Sequence, residues 1–225
     1  MATSIVASVV FLRIQDFARR PASEQARLRA QLEAVVAVTT AELDPASRIV
    51  LEASDGVAIV LLRDPKGAVR LAQRALTASA AGLPLSAGLN HGALQAAGRK
   101  GAEAMTGDGI AVAASIAEFA AASKLFASRA FRDALADAAP GREVSLVAAG
   151  AFKDAGLRNH EVFSLDENAV ARRKLRYALA TALLVVACLG GGIAARISTE
   201  SDKPFATAVM DKYPYVRALV QRVSF

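Results

Sequence analysis

Residues 4–14 (SIVASVVFLRI) form an almost unbroken apolar run rich in β-branched side chains, the pattern of a strand buried on both faces. The period then changes. Leu28, Leu32, Val35 and Val36 recur at helical spacing behind Ser23, a residue suited to cap an N-terminus, and a helix to about Leu43 is predicted. Two strands at 48–53 and 57–63 flank Ser54-Asp55-Gly56, which reads as a tight hairpin turn. A helix over 65–80 follows. Leu83-Pro84-Leu85 opens a strand toward His91-Gly92, and 93–97 is expected to be its short hairpin partner. Beyond a Gly-rich, charged loop at 98–109 the pattern predicts a helix over 110–121, a strand at 124–127 and a helix at 131–138. Strands at 143–149 and 160–165 complete the domain. Strands joined by hairpins, interleaved with helices but lacking βαβ regularity, give an α+β fold with a mainly antiparallel sheet and flanking helices.

At residue 177 the patterning changes character. Residues 177–195 (YALATALLVVACLGGGIAA) carry no charge and no polar face. At 1.5 Å per residue they reach about 28 Å, the thickness of a bilayer's hydrocarbon. One transmembrane helix is therefore expected. Arg172, Arg173, Lys174 and Arg176 crowd its N-terminal side, which places residues 1–171 in the cytoplasm. No basic segment precedes the first apolar run, so no signal peptide is expected. The predicted organisation is a cytoplasmic domain (1–171), a basic juxtamembrane linker (172–176), a span (177–195) and a short extracytoplasmic tail (196–225), in a single-pass protein of the inner membrane. Ala187, Gly191 and Ala195 recur every fourth residue along the span, a small-residue stripe that lets two helices approach in lipid. In the tail, Phe205, Val209, Tyr213, Val216, Val220 and Val223 keep helical spacing around Pro214, which fits a segment lying on the membrane, docking on a partner or simply trailing.

Composition narrows the function classes. The 225 residues carry a formal charge of +6, one Cys and two His, which excludes a disulfide framework and a zinc site of the usual Cys/His kind. Residues 1–171 hold equal numbers of acidic and basic side chains, so the excess sits at the membrane junction and beyond it. A groove-sized basic surface for nucleic acid is excluded.

Four local signatures, in order, resemble the catalytic domain of class III adenylate and guanylate cyclases over about residues 4–165. They are Val10-Phe11-Leu12-Arg13-Ile14-Gln15-Asp16-Phe17 closing the first strand and Ala53-Ser54-Asp55-Gly56-Val57 in the hairpin. Ala87-Gly88-Leu89-Asn90-His91-Gly92 lies at a strand end, and Gly107-Asp108-Gly109-Ile110-Ala111-Val112-Ala113-Ala114-Ser115 enters a helix. The resemblance implies a ferredoxin-like cyclase domain that pairs head to tail. It also implies two Asp residues holding two Mg or Mn ions, and an Asn and an Arg on the partner's helix.

Carried over position by position, most of that machinery is missing. The first metal-binding Asp falls on Arg13, where a cation would repel the metal, while the second is retained as Asp55. The Asn falls on Ala111 and the Arg on Ser115; the purine-selecting positions fall on Leu51 and Ala104. Lys153 matches the phosphate-binding Lys, and Gly107, Asp108 and Gly109 could present backbone N–H groups to a phosphate. Each has a plainer reading as well: Asp55 as a turn residue, Lys153 as a solvated charge, Asp108 as a helix-entry residue. No catalytic residue is expected, and Mg or Mn enters only if the domain turns over. The expectation is a membrane-anchored, non-catalytic, homodimeric signalling module of a bacterium that binds a nucleotide or a protein partner. An active adenylate cyclase with an atypical site and a structural subunit of a membrane assembly are the alternatives.

Overall fold

The computed structural model describes residues 4–79, 82–96, 105–166, 168, 169, 171, 172, 175, 177–183 and 213. The chain divides into two units, Met1–Val170 and Ala171–Phe225.

In the first unit the strands are β1 (Ser4–Ile14), β2 (Arg48–Ala53), β3 (Gly56–Leu61), β4 (Leu85–Ala96), β5 (Met105–Thr106), β6 (Leu125–Ser128), β7 (Leu146–Lys153) and β8 (Asn159–Leu165). The helices are α1 (Ala22–Thr40), α2 (Pro65–Ala78), α3 (Asp108–Phe119) and α4 (Arg129–Ala138). The strands form one sheet in the order β2-β3-β1-β4-β6-β8-β7, with β5 added to β4. Every pairing is antiparallel except β4 with β6, which makes the sheet mixed but mainly antiparallel as expected.

The apolar run of β1 explains its central place. Strand side chains alternate between faces, so a strand apolar at every position must be covered on both. Val10, Leu12 and Ile14 join Val57, Ile59 and Leu61 in the larger core, which α1, α2 and α4 cover with Leu28, Leu71 and Phe131. Ala7, Val9 and Phe11 join Ala58 and Val60 in a smaller core on the opposite face, covered by Ala113 and Ala117 of α3.

Helix starts follow local chemistry. The Asp64 carboxylate accepts the Gly67 N–H at 2.7 Å ahead of α2, whose first residue is Pro65. Ser128 Oγ accepts the Phe131 N–H at 3.0 Å to start α4, and donates to Asn90 Oδ1 at 2.7 Å.

Three expectations need correction. β4 does not turn at Ala93: it runs on to Ala96, because the long β1 needs a partner down to the Ser4–Gln95 pair. Its neighbour at that end is β5, not residues 93–97. Glu143–Ser145 is a 3-10 turn, and the strand begins at Leu146. α1 starts at Ala22 behind Pro21, not behind a Ser23 cap, and ends at Thr40, where the Thr39 and Thr40 hydroxyls donate to the carbonyls of Val35 and Val36.

In the second unit, residues 177–183 are helical. No helix among the described residues is long and apolar enough to cross a membrane. Most of the predicted span, including Ala187, Gly191 and Ala195, and all of the tail except Tyr213 lie outside the described residues.

Candidate functional site

The end of β1 and the β2–β3 turn meet because Arg13 pairs with Gly56 across the ladder and the Ile14 N–H donates to the Asp55 carbonyl at 2.9 Å. A side chain at Gly56 would not fit, since its Cβ would stand 2.1 Å from the Leu12 carbonyl oxygen. This close approach sets Asp55 beside Arg13, whose Nε lies 2.9 Å from Asp55 Oδ2 in an ion pair. The same guanidinium reaches α3, with Nη1 at 3.1 Å from Glu118 Oε2. Gln15, two residues on, donates to the free carbonyl of Ala120 at 2.9 Å and to Ser86 Oγ, closing the end of α3 against β1 and β4. Arg29 of α1 donates to the Ser54 carbonyl, fixing the turn from the other side.

Asp16 does not join this group. It occupies a left-handed turn position (φ 55°) and pairs with Arg19 at 3.3 Å in solvent.

Ala111 and Ser115 lie on the outward side of α3, and Glu118 follows one turn later. Sequence reasoning missed Glu118, although its spacing from Ser115 places it on that same helical face.

Gly107, Asp108 and Gly109 sit at the opposite end of α3, about 15 Å from Glu118 at 1.5 Å per residue. Backbone packs closely against Gly107, and the end of the Leu94 side chain packs against Gly109. A Cβ on Gly107 would stand 2.8 Å from the Ala93 carbonyl oxygen, and one on Gly109 2.9 Å from Leu94 Cδ2. The Gly109 carbonyl accepts from Asn90 Nδ2 at 3.0 Å, and Asp108 pairs with Arg158 at 3.1 Å. Lys153 ends β7, exposed and without an ion pair among the described residues. Its neighbour Asp154 is buried and receives Arg158 and His160 at 2.8 and 2.9 Å. Leu51 is half-buried in β2, and Ala104 lies outside the described residues. His91 stands mid-strand with Nδ1 at 3.1 Å from Ser8 Oγ, and burial lowers its pKa.

The structure thus brings Arg13 and Asp55 together and keeps them apart from Gly107, Asp108 and Gly109. Among the described residues no three His, Cys, Asp or Glu side chains group to hold a metal ion. At Asp55 the nearest group is a guanidinium, so the residues present do not fit a divalent cation.

Taken together, these elements define an α+β domain whose mixed sheet is flanked by helices on both faces. The fold is that of the catalytic domains of class III adenylyl and guanylyl cyclases. The guanylate cyclase domain of RhGC from Catenaria anguillulae, in complex with GTP, matches with a TM-score of 0.56 and 15% identity, over 73% of this chain and 98% of that one. The adenylyl cyclase CyaB from P. aeruginosa matches at 0.53 and 14%, over 74% and 96% of the two chains. The non-canonical dimeric guanylyl cyclase domain of the RhoGC fusion protein from Blastocladiella emersonii matches at 0.54 and 14%, over 73% and 98%. No protein-family model and no curated protein sequence matches the chain. At these identities the likeness is one of fold.

Proposed function

We propose that this chain is a membrane-anchored, non-catalytic cyclase-like domain that works by binding, as a dimer, a protein partner or a nucleotide. The observation that carries the reading is the 2.9 Å ion pair between Arg13 and Asp55. In-line displacement at a triphosphate needs hard oxygen ligands that concentrate positive charge on the phosphates. Here the retained carboxylate is paired with a side chain, Ala111 offers no donor, and Ser115 offers a neutral hydroxyl in place of a cation that would stabilise a charged transition state.

Two features support the remainder of the reading. Ile5, Ile49, Leu51 and Leu62 stay only partly buried beside the core under α3, which leaves apolar sheet surface for a second domain. The uncharged run at 177–195 behind Arg172, Arg173, Lys174 and Arg176 supports anchoring, with residues 1–171 as the cytoplasmic domain, 172–176 as its linker and 196–225 beyond the membrane.

The test is direct. Full-length protein incubated with ATP or GTP and Mn²⁺ is expected to yield no cyclic nucleotide by mass spectrometry. Product that disappears in Asp55→Ala would make the chain an active cyclase and overturn the reading.

A further inference from the structure

Arg13 holds three separate elements at one point. Its guanidinium is a planar fork whose Nε meets Asp55 Oδ2 of the β2–β3 turn at 2.9 Å and whose Nη1 meets Glu118 Oε2 of α3 at 3.1 Å. Two carboxylates from different elements therefore meet one cation through different nitrogens of its fork. Carboxylate oxygens are the ligands that hard divalent ions prefer. We infer that the Arg13 guanidinium is a built-in replacement for a divalent cation, and that its presence alone keeps Asp55 and Glu118 from serving as metal ligands. This inference rests on the non-catalytic reading and deepens it, by naming what fills the site.

The geometry gives the reason. Arg13 and Asp55 are each about a quarter exposed, while the Glu118 side chain is mostly exposed and reaches the same guanidinium from α3. Gly56, opposite Arg13 in the ladder, has no side chain to intrude. The Asp16 pairing with Arg19 leaves that carboxylate out of the group. One positive charge facing two negative ones leaves the group at a formal charge of −1, and Arg13→Asp takes it to −3. The substitution also supplies hard oxygen from β1 to join those of the turn and of α3.

The probe is Mn²⁺ alone, titrated into the full-length protein and followed by the paramagnetic signal of the free ion. Wild type is expected to show no saturable binding that depends on Asp55. Arg13→Asp is expected to bind one Mn²⁺ per chain, and adding Asp55→Asn is expected to abolish it. Arg13→Gln keeps both natural carboxylates without the cation. It is expected to gain Asp55-dependent binding at least tenfold weaker than Arg13→Asp, and it serves as the measured variant if Arg13→Asp does not fold. Wild-type binding that Asp55→Asn removes would overturn the inference, and so would folded Arg13 variants that gain none. Cyclic product from a wild type that binds no Mn²⁺ at Asp55 would instead sink the non-catalytic reading and leave the cation replacement standing.

Discussion

Asp154 shows how one residue can tie down a hairpin. Its carboxylate is only 5% exposed and receives the Arg158 backbone N–H and Arg158 Nε at 2.8 Å each, with His160 Nε2 at 2.9 Å. The His160 hydrogen bond, with Arg158 behind it, holds the carboxyl well below the usual Asp range, although burial pushes the other way. A carboxyl depressed in the folded state contributes stability that is present above its unfolded value, about 3.9, and is lost as pH falls further. The melting temperature of wild type is therefore expected to drop from about pH 4 downward. Asp154→Asn should melt lower at pH 7 and lack that acid-dependent part of the drop; an identical slope in both proteins would assign the acid loss elsewhere. The sequence drew attention to Lys153 and not to this neighbour. The signal available was an acid followed four and six residues later by Arg158 and His160, across what proves to be a turn. Arg13 and Asp55 were both legible as positions, but their ion pair was not, because the residues are far apart in sequence and meet only through strand register.

At the level of elements, the contact between β4 and α3 is set by the absence of a side chain. A Cβ on Gly88 would lie 2.1 Å from the Ala113 carbonyl oxygen and 2.5 Å from the Ala117 N, both backbone atoms that a rotamer change cannot move. Gly88→Ala should therefore lift α3 off the sheet, at a cost of about 3 kcal/mol, the upper part of the usual range for overpacking. Urea unfolding measures this as a fall in midpoint, and an unchanged midpoint would contradict the packing described. Most elements were legible from the period of their apolar residues, because β1, β3 and α2 each bury a pattern matched to their geometry. The extension of β4 through Ala93 was not. Nothing local distinguishes residues 93–96 from a hairpin arm, and only pairing with the first residues of β1 decides the matter.

For the molecule as a whole, the membrane proposal gives a topology that can be measured. A reporter that functions only in an oxidising compartment, fused after Phe225, is expected to be active, and one that functions only in the cytoplasm is expected to be silent. The reverse pattern would place Phe225 in the cytoplasm and overturn this topology. One feature of the sheet carries a different consequence. β1 pairs with β3 on one edge and with β4 on the other, so that Ile14 waits for Leu85 and Ser4 for Gln95. At 5–20 residues per second, ribosomal synthesis separates Ile14 from Leu85 by about 4–14 s. The β2–β3 and β7–β8 hairpins close over short loops, whereas the middle of the sheet closes over the longest one. During translation β1 therefore stands with one edge unpaired for seconds, which opens it to chaperone capture and to intermolecular strand pairing.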